Sequence, residues 1–149
     1  MNLFRRMSIL LILISVTIPS VCVAKENQSY TATGTWSWTG PKESGGYLLT
    51  NQKKNRVQFQ LELQRGAPSY NSGFIEGEFE LQGNKGSFRK DEFGHCEISF
   101  EIKKNEIVLT QPSNKAECGF GYGVYPEGTY KCDSHKKPKF SAGDPRASK

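Results

Sequence analysis

Histidine is nearly absent from this chain: His95 and His135 are the only two in 149 residues. That scarcity leaves little from which zinc binding or acid–base and nucleophilic chemistry could be assembled. Helical periodicity is missing from every window after the first two dozen residues, which excludes a helical bundle and alternating α/β layers. The one long apolar run, Ile9 to Ile18, is interrupted by Ser15 and Thr17 and ended by Pro19. It falls short of the roughly 20 apolar residues that a membrane-spanning helix needs. Basic charge is also absent where a nucleic-acid-binding protein would carry it, on the body of the domain.

What the N-terminus does contain is a three-part leader. Arg5 and Arg6 precede the apolar run, and Val21-Cys22-Val23-Ala24 offers small residues ahead of the polar Lys25-Glu26-Asn27. This order predicts a cleavable secretory signal over residues 1–24, cut after Ala24, and a periplasmic or secreted destination. Lipid attachment at Cys22 is disfavoured, because Val21 and Pro19 occupy positions that normally take a small residue and an aliphatic one. Loss of Arg5 and Arg6 lowers the formal charge from +5 to +3. The tail from Asp133 to Lys149, with five basic and two acidic residues, accounts for all of that remainder. The stretch 25–132 is therefore neutral, and a nucleic-acid partner is not expected.

Three cysteines survive cleavage: Cys96, Cys118 and Cys132. An oxidising compartment favours a disulfide, and a domain of this size gains from one. Three thiols permit one bridge and leave one over. Cys96 lies in a clear strand and Cys118 follows that strand's hairpin, which favours Cys96–Cys118; Cys118–Cys132 is the rival. The remaining thiol, Cys132 in the favoured pairing, is then available to stay free or to link two chains into a disulfide-bonded dimer.

Alternation of apolar and polar residues dominates the body. Val57 to Leu63 places Val57, Phe59, Leu61 and Leu63 on one face, and Ile75 to Leu81 and Cys96 to Ile102 repeat the pattern. A period of two marks a half-buried strand. Gly83-Asn84 and Lys104-Asn105 are short breaks with residues tolerant of positive φ, and they predict tight hairpins. Gly66 to Ser72 predicts a longer loop. Adding Thr33 to Thr39, Tyr47 to Thr50 and Thr129 to Cys132 gives about eight strands in an all-β antiparallel meander. Such a meander closes into a small barrel or curls into a sheet or sandwich, and periodicity does not separate these. The domain is expected to span residues 25–132, with a basic, disordered tail over 133–149.

The most distinctive segment is Cys118-Gly119-Phe120-Gly121-Tyr122-Gly123-Val124, followed by Tyr125-Pro126-Glu127-Gly128-Thr129-Tyr130. Glycine at alternate positions suits a bend pinned by Cys118, or a recognition loop displaying Phe120, Tyr122 and Tyr125 to a partner, with Phe120 and Tyr122 on one strand-like face. Together with Cys96-Glu97-Ile98-Ser99-Phe100, this segment resembles small exported bacterial proteins that share a late-strand cysteine and a C-terminal Cys-Gly-Phe-Gly motif ending in Gly-x-Tyr. The resemblance covers about the last third of the domain. It implies an exported β domain with Cys96 and Cys118 bridged, and it brings no catalytic residues. Cys132 and the basic tail depart from its pattern.

Gly34-Thr35-Trp36 is similar to the Gly-x-Trp that opens the first strand of lipocalin-like barrels. Trp36 and Trp38 are thus candidates to line a ligand cavity, or simply to pack in the core. Catalytic constellations are thin. His95 adjoins Cys96, a residue expected to be oxidised, and Cys132 with His135 forms one pair without the further ligands that zinc requires. Glu76, Glu78 and Glu80 share a strand face best read as solvated. The sequence predicts a non-enzymatic binding module of the envelope, inhibitor- or immunity-like, without metal or cofactor. Its expected partner is an envelope or extracellular protein; a lipocalin-like small-ligand carrier is the alternative.

Overall fold

The computed structural model describes residues 30–92, 94–112 and 117–141. The leader, its cleavage point and Cys22 lie outside the described residues, as does the tail beyond Ser141. Eight antiparallel strands run in chain order: β1 Gly34–Thr39, β2 Gly45–Lys53, β3 Arg56–Gln64, β4 Ser72–Gln82, β5 Lys85–Lys90, β6 Cys96–Ile102, β7 Glu106–Thr110 and β8 Gly128–Ser134. β1 pairs with β8, so the meander closes into a barrel and the sandwich alternative falls away. Among the described residues no helix is long and apolar enough to cross a membrane.

The expected inward residues are the core. Val57, Phe59 and Leu61 have no solvent exposure, and Leu63, Phe79, Ile98, Phe100 and Ile102 are buried with them. Phe59 sits at the hub of an aromatic cluster, with ring centroids 5.9, 5.0 and 5.1 Å from those of Phe79, Phe88 and Phe100. Phe79 and Phe100 stack at 4.2 Å. Gly77 makes this packing possible: a Cβ there would fall 2.3 Å from the Phe88 ring. Trp36 is fully buried, and its indole N–H donates to Thr50 Oγ1 at 2.7 Å. The Thr50 hydroxyl in turn donates to the Ala32 carbonyl, so this buried polar pair is satisfied.

The barrel is polar in its connections. At one end lie the short turns between β2 and β3, β4 and β5, and β6 and β7. Gly83 takes φ +67° in the second of these, as expected. The Lys104-Asn105 turn instead closes through the Lys103 N–H to Glu106 O bond at 2.9 Å, with no positive φ at either residue. At the other end lie the longer connections, residues 40–44, 65–71, 91–95 and 111–127. β5 pairs with β4 only through Leu81↔Gly86 and Gln82↔Lys85, so these two strands diverge toward the loop end.

The boundary expected at Cys132 falls inside β8, which continues to Ser134 through its ladder with β1. Beyond it, His135 meets Trp36 edge-on at 5.5 Å. Ser141 N–H donates to Gln60 Oε1 at 2.9 Å, and Gln60 Nε2 donates back to Ser141 O at 2.7 Å. Gln60 points outward between exposed Gln58 and Glu62, yet it is only 4% exposed. Structural contacts thus continue to Ser141, nine residues past the expected boundary, through a strand ladder and an amide clamp rather than an apolar pattern.

Candidate functional site

Among the described residues the exposed large hydrophobics are all tyrosines: Tyr47, Tyr70, Tyr122 and Tyr125, with Tyr122 88% and Tyr70 73% exposed. All four belong to the loop end of the barrel. Tyr47 is near the start of β2, Tyr70 is in the β3–β4 loop, and Tyr122 and Tyr125 lie between β7 and β8. Isolated exposed apolar residues are ordinary on a protein surface, but their confinement to one end is informative.

Local chemistry explains how the loops present them. Arg65 N–H donates to Asn71 O at 2.8 Å and Tyr70 N–H to Gly66 O at 3.3 Å, closing the β3–β4 loop on itself. Tyr70 adopts φ +47°, and Lys42 and Glu43 in the neighbouring turn adopt +55° and +58°. Side-chain-bearing residues rarely take such values, and they persist only where surrounding contacts enforce them. In the β7–β8 connection, Val124 N–H donates to Gly121 O at 3.0 Å, and Gly123 takes φ +75°. That turn puts Tyr122 at its apex.

The loop over residues 66–72 and the Gly-rich segment after Cys118 form a single surface. Gly121 N–H donates to Ser72 O at 3.0 Å, and Asn71 Nδ2 donates to Tyr122 O at 2.7 Å. The Cys96–Cys118 disulfide ties the same segment to β6. The expected strand-like face shared by Phe120 and Tyr122 is not formed, because the segment turns instead of extending. Phe120 is half-buried, and a Cβ on Gly73 would lie 2.5 Å from its ring. It packs at the top of β4, where β5 has diverged and left room for an aromatic ring. Tyr122 and Tyr125 remain outside.

Trp36 and Trp38, the candidates for a ligand cavity, differ in burial. Trp36 is sealed in the core, whereas Trp38 is half-buried, with its ring 6.1 Å from that of Tyr130 and close against Gly40 and Gly128. Burial pushes the Tyr130 phenol well above its ordinary pKa, and its hydroxyl donates to Pro126 O at 3.0 Å. Tyr130 therefore anchors the end of the loop and takes no part in surface chemistry.

The other candidates resolve into structural roles. Cys96 is oxidised, and His95 Nδ1 lies 3.1 Å from Asp91 with Nε2 3.6 Å from Glu97. Arg89, hydrogen-bonded to Glu97, holds that carboxyl below its ordinary pKa; Lys131 does the same for Glu106. Glu78 and Glu80 lie 3.6 and 4.0 Å from Arg56 on the outer face. Among the described residues no group of three or more His, Cys, Asp or Glu is placed to hold a metal ion. Cys132 is a half-buried free thiol whose pKa is raised by burial and by the neighbouring Asp133 carboxylate.

A groove of about 600 Å³ opens beside the tyrosine end, lined by residues of β1 to β4 and the β1–β2 turn, the candidate Trp38 among them. Tyr47, Glu62 and Phe74 form a cross-strand row in it, and Glu43 stands on its rim. Sequence reading missed this row because Tyr47 and Phe74 are out of phase with the inward residues and look like ordinary surface. The signal was present in that phase: two aromatics on the solvent side of adjoining strands. No family model, curated protein or solved structure matches this chain.

Proposed function

We propose that this chain is an exported, non-enzymatic binding module that recognises an envelope or extracellular protein through its loop end. The observation that carries the reading is that, among the described residues, the exposed large hydrophobics, each a tyrosine, gather on that end. Tyrosine supplies broad, rigid, amphipathic contact at small entropic cost, and Ser, Gly and Asn supply adaptable hydrogen bonding. The loops are built from these residues: Ser69-Tyr70-Asn71-Ser72 and Gly119-Phe120-Gly121-Tyr122-Gly123. Their mutual hydrogen bonds pre-organise the surface, which lowers the cost of binding.

A Tyr122→Ala/Tyr125→Ala double variant is expected to lose capture of its partner from envelope extract by at least about tenfold, since tyrosine anchors dominate such interfaces. Its unfolding midpoint should not move, because both rings are exposed. Undiminished capture would exclude this surface. The carrier alternative draws on the closed barrel, but Trp36 and the phenylalanine cluster occupy the interior a ligand would need. Native mass spectrometry of protein purified from its own host separates the two: a retained small molecule favours the carrier.

Dimerisation through Cys132 is disfavoured by the state of that thiol. A raised pKa means less thiolate at a given pH and hence slower exchange and alkylation. Reaction with an aromatic disulfide reagent at mildly alkaline pH is expected to be slower than for an unfolded control, and non-reducing gels should show monomer. A rapid reaction together with a dimer band would reverse this reading.

A further inference from the structure

The groove along β2–β4 has a chemistry distinct from that of the loops above it. Register places Tyr47 opposite Glu62 and Glu62 opposite Phe74, so a carboxylate stands between two aromatic side chains on adjoining strands. Directly opposed residues on one face lie about 5 Å apart at Cβ, within reach of one ligand group. The Glu62 and Glu43 carboxylates have no ion pair or hydrogen bond among the described residues, and no Lys, Arg or His lines the groove. The nearest basic candidates are directed elsewhere. The Arg65 guanidinium lies against Gly123, and Lys42 is not part of the lining. The contrast with β4 is informative, since Glu78 and Glu80 farther along the same outer face already face Arg56.

We infer that this groove receives a basic, extended segment of a partner protein, with an arginine or lysine side chain lodged between Tyr47 and Phe74 over Glu62 and a second cation near Glu43. Aromatic faces attract a cation through their quadrupole, and an unpaired carboxylate supplies the charge that the aromatics lack. The Gln64 amide in the lining offers hydrogen bonds to an extended backbone. A neutral domain can hold such a site because recognition depends on the local charge of the groove rather than on the total. The inference rests on the binding-module reading and assigns a second contact to it, with the chemistry of what that contact takes.

The test uses the ¹⁵N-labelled chain and an alternating Arg-Ser peptide long enough to cross three strands, with the Glu-Ser peptide as control. Saturable amide shifts are expected at Tyr47, Glu62 and Phe74 with the Arg-Ser peptide alone, weakening as salt is raised. Glu62→Gln, an exposed substitution that leaves the fold intact, should weaken binding about tenfold, as expected for removal of one charge-assisted contact. Tyr47→Ala should weaken it as well, and Glu78→Gln should not. Shifts spread over every exposed glutamate, or equal affinity for Glu62→Gln, would overturn the groove. The Tyr122→Ala/Tyr125→Ala variant should bind the peptide normally, so failure of the loop surface and failure of the groove give different results.

Discussion

Phe59→Ala is expected to destabilise the barrel by about 3–5 kcal/mol, the range for removing a phenylalanine from a packed core. Phe59 has no exposure and contacts three further phenylalanines, so its loss withdraws partners from all of them at once. Phe79 and Phe88 cannot collapse readily into the space. They are held against Gly86 and Gly77, where a Cβ would already lie 2.4 and 2.3 Å from their rings. Urea titration should show a lower midpoint with an unchanged slope. The same measurement bears on function. A barrel built around a ligand chamber would have slack beside Phe59 and lose under about 1.5 kcal/mol, since the cost of truncation depends on how tightly the site is packed. A small loss would therefore weaken the filled-interior account and revive the carrier.

The second large effect concerns the disulfide. Cys96→Ala/Cys118→Ala is expected to cost about 3 kcal/mol from the unfolded-state entropy of closing a loop of this length, given a sequence separation of 22. A local consequence should accompany the global one. Cys118 tethers the segment in which Phe120 covers Gly73 and Gly121 bonds Ser72. Without the bridge, amide exchange at Gly121 and Tyr122 should accelerate more than exchange in β2 and β3, and partner capture should fall with it. Uniform acceleration across the barrel would mean that the bridge supports overall stability alone and leaves the loop surface to hold itself.

Much of this architecture was legible because each strand carries its own alternation. The inward sets of β3, β4 and β6 could be read directly, as could the turn at Gly83 and the preference for Cys96–Cys118. Barrel closure was expected alongside a curled sheet or sandwich without being separated from them, since pairing of β1 with β8 is a long-range register that leaves no local trace. The contact between Gln60 and Ser141 was hidden for a related reason. Gln60 and Ser141 are polar, and a clamp between residues 81 apart has no periodic signature. At the site, glycine spacing identified the right segment but not its shape. Strict alternation suggested an extended face, whereas Gly119 and Gly123 take positive φ and turn the chain on either side of Phe120 and Tyr122. Tyr47 and Phe74 needed the sheet before they could be seen as neighbours.

The separation of tight turns from long loops bears on how such a chain can diversify. Strand register is set at the end with the short turns, where one inserted residue would turn a strand's whole inward set to solvent. At the opposite end, lengthening the segment that carries Tyr70 leaves the ladders in place, and doubling a flexible loop costs only about 0.6 kcal/mol of closure entropy. Variation in length and side chain is thus cheap on the face proposed to meet a partner and costly elsewhere. The barrel can hold its interior fixed while that face changes, much as a chuck keeps its grip while the bit is changed.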